Sequence, residues 1–212
     1  MKKSVVITTI NNPNANLKKM GNLCRKFNSE LIIIGDKKTP INFKVKYGSY
    51  LGINSQLKLN FKFSKICKKN NYARKNIGYL VSMSRNREVI LETDDDNYPK
   101  NNFFAHIKPV HSVREIKGKD WVNIYSIFLK KKKMIWPRGL PFDKIDNFPI
   151  ISKIKKKKSF FLQQGVCEGN PDVDALYRLL NKKINIKFKK NFKVSSGNAY
   201  APLNSQNTVW FK

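Results

Sequence analysis

Glu88-Val89-Ile90-Leu91-Glu92-Thr93-Asp94-Asp95-Asp96-Asn97 is an apolar run that ends in three consecutive carboxylates. Its β-branched and apolar residues predict a buried strand over 88–92, with the acids at the carboxyl end. In open α/β sheets that end is where loops converge on a ligand crevice. Adjacent carboxylates repel and raise one another's pKa unless a cation is nearby. Mg²⁺ and Mn²⁺ favour hard oxygen ligands and take one or two carboxylates plus phosphate oxygens and water. If the strand continues through the triplet, Asp94 and Asp96 share one side and fit such a metal, while Asp95 points to the other side and contacts a ribose or orients the loop. A solvated turn leaving through Asn97, Tyr98 and Pro99 is the plain alternative. It loses weight in a chain with only 14 acids.

Upstream, 4–10 predicts another buried strand, broken by Asn11-Asn12-Pro13-Asn14. Apolar residues at 17, 20, 23, 24 and 27 have helical spacing, and 30–34 forms a second strand ending at Gly35-Asp36. This is a βαβ unit. Asn70 or Asn71 can cap a helix over 72–84, whose first turn carries Arg74 and Lys75. Those cations suit a pyrophosphate, and Gly78 one turn on permits close approach. An amphipathic helix with solvent-facing cations would read the same way.

Downstream, 101–158 is irregular, with Pro109, Pro137, Pro141 and Pro149 and lysine runs at 130–133 and 155–158. No element is predicted there. Trp136-Pro137-Arg138-Gly139-Leu140-Pro141 offers Trp136 as a sugar-stacking face, or as a packing residue, and Arg138 to an anion. Gln163-Gln164-Gly165 supplies amides for sugar hydroxyls. Asn170-Pro171-Asp172 predicts a helix start, with Asn170 as cap, Pro171 at the first helical position and the helix running over 173–180. Asp172 and Asp174 are then general-base candidates, or acids that complement the helix dipole. Asn204-Ser205-Gln206-Asn207-Thr208 suits a hydrogen-bonding loop beside the apolar Val209 and Trp210.

At 212 residues and 41% apolar, the chain is expected to form one globular domain over 1–212. Its apolar last residues suggest an element cut short. The formal charge of +29 invites a nucleic-acid partner, yet the basic residues comprise seven Arg and 36 Lys. Base and bidentate phosphate recognition favour Arg, so nucleic acid is not the preferred partner. A surface this basic still attracts polyanions. Cys24, Cys67 and Cys167 fit no disulfide framework or zinc spacing, and a reducing, cytoplasmic setting or a peripheral place at a membrane surface is expected. The first apolar run is too short for a signal peptide, and nothing approaches a transmembrane span.

Taken together, the segments 5–10, 33–40, 72–80, 92–97, 136–141, 163–165, 169–175 and 204–208 resemble, in order, the STELLO-like glycosyltransferase family. Its plant members are Golgi proteins associated with cellulose synthesis. The resemblance implies a GT-A-like α/β fold of the Rossmann type, with a mixed, mostly parallel sheet flanked by helices and a metal-binding Asp-x-Asp motif. It implies Mn²⁺ or Mg²⁺ on Asp94 and Asp96. Donor contacts would come from Thr8, Thr9, Asp36, Arg74, Lys75, Asp95, Trp136, Arg138, Gln164, Asn204 and Asn207, with Asp172 or Asp174 as base. The expected activity is transfer of a sugar from a nucleoside-diphosphate sugar to a glycan, lipid or other polyanion. The high lysine content and the lack of an anchor depart from the family, so Golgi residence does not carry over. The rival reading is a non-catalytic basic module that binds nucleic acid or another polyanion.

Overall fold

The computed structural model describes residues 1–130, 133–189 and 192–212, so Lys131 and Lys132 of the first lysine run lie outside the described residues. In chain order the elements are β1 (Lys3–Thr9), α1 (Ala15–Lys26), β2 (Ser29–Gly35), β3 (Gly48–Leu51), α2 (Ile53–Leu57), α3 (Lys62–Ile66), α4 (Lys75–Ser84) and β4 (Val89–Thr93). They continue as β5 (Val110–Lys117), α5 (Ile124–Phe128), β6 (Ile150–Ile151), β7 (Lys156–Ser159), β8 (Leu162–Gln164), α6 (Ala175–Leu180), β9 (Val194–Ser195) and β10 (Asn207–Phe211). Short 3₁₀ turns cover Tyr72–Arg74 and Phe142–Lys144.

Residue contacts divide the chain into two compact units. The first holds Met1–Ile107, Phe161–Gln163 and Ser205–Lys212; the second holds Lys108–Phe160 and Gln164–Asn204. The sheet of the first unit runs β3-β2-β1-β4-β10-β8. β3, β2, β1 and β4 are mutually parallel, and β10 returns antiparallel to β4. This is the mixed, mostly parallel, helix-flanked sheet of a GT-A-like fold.

Alternation along the strands splits the core between the sheet's two faces. Val5, Ile7, Leu31, Ile33, Leu91 and Val209 pack with Leu17, Met20 and Leu23 of α1. Val6, Ile32, Ile34 and Ile90 pack with Ile77 and Val81 of α4. Fully burying an aliphatic side chain of this size contributes about 1.5–3 kcal/mol. α4 comes unusually close to the sheet, because a Cβ on Gly78 would stand 2.4 Å from Val6 Cγ1 and 3.1 Å from Ile34 Cγ1. The glycine serves packing, and it sets the height of the helix that carries Lys75.

α1 begins at Ala15, two residues before Leu17, because Asn14 caps it, accepting from the Leu17 amide at 2.9 Å. Asn71, rather than Asn70, caps the turn leading into α4, accepting from the Ala73 amide at 2.9 Å. The terminal apolar stretch is strand β10.

In the second unit, β5 pairs antiparallel with β6 and β7 and parallel with β9. The segment 101–158 is therefore more regular than its sequence suggests, and the eight-residue β5 is the principal element missed. His111, Val113 and Ile116 are buried along it. The predicted helix over 173–180 starts later, at Ala175. Val173 is fully buried in a β-bridge with Pro137, and the Asp174 amide donates to Trp136 O at 2.9 Å. That pairing holds 172–174 extended, so the cap role passes from Asn170 to Asp174.

Candidate functional site

β4 ends at Thr93, and the three aspartates lie in the turn that follows, closed by the Asn97 amide donating to Asp94 O at 3.2 Å. The alternation that set Asp94 and Asp96 against Asp95 does not extend into this turn. The three carboxylates are nevertheless used differently.

Asp94 is paired with Lys75. The ammonium donates to Asp94 Oδ1 at 2.8 Å, to Thr93 O at 3.4 Å and to Ser205 O at 3.3 Å. The Lys75 side chain is only 6% exposed. A lysine is the local counter-ion of the first aspartate.

Asp95 fastens the turn to the end of β1. Its Oδ2 accepts from Thr9 Oγ1 at 2.5 Å and from Asn11 Nδ2 at 3.0 Å. Its main-chain carbonyl accepts from Asn14 Nδ2 at 2.8 Å and Asn16 Nδ2 at 3.2 Å. The loop-orienting role considered for Asp95 is the one its bonds describe. Asn11, Asn14 and Asn16 were missed in the sequence, where the asparagine-rich Asn11-Asn12-Pro13-Asn14-Ala15-Asn16 run at the same sheet edge was the available signal.

Asp96 is exposed and has no ion pair among the described residues. Its carboxyl is nevertheless held above the ordinary range, first by partial desolvation and then by repulsion from Asp94 and Asp95. Asn97 completes the turn, its side-chain Nδ2 donating to Thr93 Oγ1 at 3.1 Å and Gln206 O at 2.9 Å. Asn207 stands opposite Thr93 in the β10–β4 ladder. Thr8, half-buried, stands opposite Ile34.

Two expected donor contacts do other work here. Asp36 Oδ1 accepts from the amides of Lys37 at 2.7 Å and Asn70 at 2.9 Å, and Oδ2 from that of Asn71 at 3.1 Å. It ties the end of β2 to the approach of α4. Arg74 is 2% exposed; its guanidinium donates to Cys67 O at 3.0 Å and Lys68 O at 3.4 Å and bonds Gln56 Oε1. Gln56 in turn donates to Gly35 O at 2.8 Å and Leu51 O at 2.6 Å. Of the two consecutive cations, Lys75 joins the aspartates and Arg74 braces α2 and the loop after α3.

The second unit gathers the remaining candidates. Arg138 Nε donates to Asp172 Oδ1 at 2.6 Å, and the Arg138 amide to Asp172 O at 3.2 Å. Gly139, at φ +83°, makes the tight turn from Pro137 to Leu140, and Trp136 Nε1 donates to Leu140 O at 2.7 Å. The half-buried Trp136 ring meets Phe142 edge-on at 5.5 Å. Asp174 Oδ1 accepts from the Leu176 amide at 2.8 Å, as the N-cap of α6. Gln164 Nε2 donates to Asn204 Oδ1 at 3.0 Å, while Asn204 Nδ2 reaches Tyr125 Oη at 3.4 Å. Tyr125, not singled out in the sequence, has its phenol pKa pushed up mainly by burial, with Asp172 adding to the rise.

Among the described residues, no group of three or more His, Cys, Asp and Glu side chains could hold a metal ion. No family model matches the chain. Two curated proteins of Arabidopsis thaliana do. Probable glycosyltransferase STELLO2 is 25% identical over 230 residues, taking in 98% of this chain and 29% of that protein. The chain resembles the STELLO proteins along almost its whole length. Probable glycosyltransferase STELLO1 is 24% identical over the same span and shares. The chain thus spans about 29% of the length of the curated STELLO relatives it matches. No helix among the described residues is long and apolar enough to cross a membrane.

Proposed function

We propose that the chain, with both units forming one glycosyltransferase-like domain, binds a nucleoside-diphosphate sugar at the Lys75–Asp94–Asp95–Asp96 edge and serves transfer of the sugar to an acceptor. The observation that carries this is the buried Lys75 ammonium set against Asp94 at the carboxyl end of β4. The similarity to proteins named as glycosyltransferases supports the same reading.

In this reading Asp94 and Asp96 would hold a divalent metal. Both offer hard oxygen donors, and Asp96 carries charge that its surroundings resist and a dication would relieve. Such a metal, Mn²⁺ or Mg²⁺, would act as a Lewis acid on the departing diphosphate. Lys75, itself buried, holds Asp94 in place and adds fixed positive charge beside the turn. Asp95, Thr9 and the asparagines keep the turn rigid, so the carboxylates do not have to reorganise when a ligand arrives. Thr8 and Asn207 remain donor-contact candidates beside that turn. Asp36 and Arg74 enter this reading as positioning residues. In the second unit, Trp136, Gln164 and Asn204 keep their proposed role toward a sugar. The proposed general base is Asp172 rather than Asp174, whose carboxylate is occupied as a cap. In this reading the Arg138 guanidinium holds the Asp172 carboxylate in place toward an acceptor.

Calorimetric titration of UDP, GDP, ADP and CDP with and without Mn²⁺ tests the reading, comparing wild type with an Asp94→Ala, Asp96→Ala double variant. Metal-dependent binding that the variant loses is the expected result, and the best ligand identifies the base. No binding by folded wild type would overturn it. One observation favours a second reading, a non-catalytic polyanion-binding module: the 43 basic residues against 14 acidic ones. That module would bind nucleic acid with steep salt dependence and be indifferent to loss of Asp94 and Asp96.

A further inference from the structure

Leu176, Leu179 and Leu180 of α6 are 49%, 75% and 77% exposed, so half of a six-residue helix presents leucine to solvent. Residues three and four apart share a helix face, and these three therefore form one apolar face rather than scattered side chains. The opposite side of the helix is already committed. Tyr177 is buried in a cluster with Val173, Ile186 and Phe188, and its hydroxyl donates to Met134 O at 3.0 Å. Arg178 does not cover the leucines, because its guanidinium is engaged by Asn170 Oδ1 and by Pro171 O at 3.1 Å. Asn181 closes the helix, its Nδ2 donating to Tyr177 O at 2.9 Å. α6 is thus anchored on one side and capped at both ends, with its leucines outward.

The charge beside that face has one sign. Lys182 and Lys183 follow the helix and are exposed, and three residues of chain reach at most about 11 Å, so both lie at the edge of the leucine face. No Asp or Glu occurs between Ala175 and Lys212. The Asp174 carboxylate is engaged by the Leu176 amide, and Glu168, brought near by the Gly169–Ile186 bridge, accepts from the Phe188 amide at 3.2 Å.

An exposed apolar patch with a polar rim marks a contact surface. The core of a protein–protein contact is enriched in aromatic residues and Arg, and Leu is under-represented among the residues that carry its energy. This face offers leucine edged by lysine. That is the composition of a helix lying in the plane of a bilayer interface, with apolar side chains at the acyl boundary and cations among anionic headgroups.

We propose that α6 is a membrane-docking element: Leu176, Leu179 and Leu180 enter the boundary between headgroups and acyl chains, and Lys182 and Lys183 bind anionic headgroups. The inference does not rest on the donor-binding reading, with which it shares no residue.

Co-sedimentation with phosphatidylcholine vesicles, with and without phosphatidylglycerol, tests it. Wild type is expected to bind the anionic vesicles; absence of binding by folded wild type would overturn the proposal. A Leu176→Gln, Leu179→Gln, Leu180→Gln variant keeps helix propensity, removes the apolar face and is expected to lose about a hundredfold in affinity. A control, Ile41→Gln, Ile66→Gln, Met83→Gln, replaces exposed apolar residues of the first unit and is expected to bind as wild type does. At about fivefold per lysine near an anionic surface, Lys182→Gln with Lys183→Gln is expected to lose roughly twentyfold. In a Leu179→Trp variant, acyl chains brominated near the headgroup are expected to quench the added fluorescence, which separates insertion from adsorption by charge. A leucine variant that binds vesicles like its control, or an added fluorescence that stays unquenched, would overturn the proposal in favour of diffuse surface charge. Sedimentation equilibrium examines the other occupant: self-association of wild type that the leucine variant abolishes, with vesicle binding unchanged, would overturn it in favour of an interface between copies. Circular dichroism establishes that each variant is folded before it is compared.

Discussion

The Lys75 ammonium and the Asp94 carboxylate lie 2.8 Å apart, joining the first turn of α4 to the turn that ends β4. Lysine and aspartate are 19 residues apart in sequence, and the ammonium's other partners are main-chain carbonyls. The pair holds the candidate site in register with the core beneath it.

Replacing Lys75 with methionine keeps the length of the side chain and removes its charge. Asp94 then loses its cationic partner and two carbonyls lose a donor. A charge-assisted bond in a partly buried setting is worth about 2 kcal/mol, and a loss of that order is expected in urea unfolding. Affinity for nucleoside diphosphates is expected to fall about tenfold in the same variant, measured by calorimetry.

Asp95→Ala removes the acceptor for Thr9 and Asn11 while leaving Asp94 and Asp96 chemically intact. A cost of about 2 kcal/mol is expected, because both donors lose their carboxylate at once. If the turn's rigidity matters to the ligand, diphosphate affinity drops although neither proposed metal ligand has changed. Unchanged affinity would assign Asp95 to stability alone.

Glu92 is 2% exposed in the sheet, accepting from Trp210 Nε1 at 3.0 Å and from the Tyr79 hydroxyl. Burial, the largest influence, raises its pKa above the ordinary 4.5, against the lowering effect of Trp210. The folded state therefore holds this proton more tightly than the unfolded one. The stability it contributes is complete below pH 4.5 and declines as pH rises through the folded pKa. Glu92→Gln is expected to remove that decline, so the variant gains on wild type between pH 4 and neutrality, on the order of the range such a shift spans. Denaturant midpoints across pH measure it.

Gly78→Ala drives a methyl group into Val6 and Ile34. Overpacking of this kind costs about 1–3 kcal/mol. Because Lys75 rides on the same helix, a variant that still folds is also expected to bind diphosphates more weakly.

Asp174→Ala and Asp172→Ala separate two carboxylates that look alike in sequence. Loss of the α6 cap is expected to cost about 1 kcal/mol and to spare turnover. Loss of Asp172 is expected to abolish sugar transfer once a donor and acceptor are in hand, with donor affinity retained. The reverse pattern would return the base role to Asp174.

The parallel sheet was legible because β1, β2 and β4 are continuous apolar runs, and α1 and α4 carry apolar residues at helical spacing between them. The aspartate turn was legible as a site by its place at the end of β4. Which neighbouring cation serves it was not: consecutive helical residues point about 100° apart, and the packing of α4 on the sheet through Ile77, Gly78 and Val81 sets which of them meets Asp94. The Asn170-Pro171 start signal misled because the bridge between Pro137 and Val173, 36 residues apart, overrides a local preference. β5 was passed over because polar and charged residues separate His111, Val113 and Ile116, which left no apolar run.

Ser205 O completes the coordination of Lys75 across 130 residues, and Gln206 O that of Asn97 across 109. A chain emerging from the ribosome can build the β1–α1–β2 layer early, since those contacts are local. The aspartate turn, by contrast, must wait with its lysine and its asparagine short of acceptors until Ser205, Gln206 and β10 have been synthesised and have paired beside β4. Acquisition of the site is thereby coupled to synthesis of the Ser205-Gln206 segment, and a nascent chain that has not reached it carries its acidic turn only half assembled.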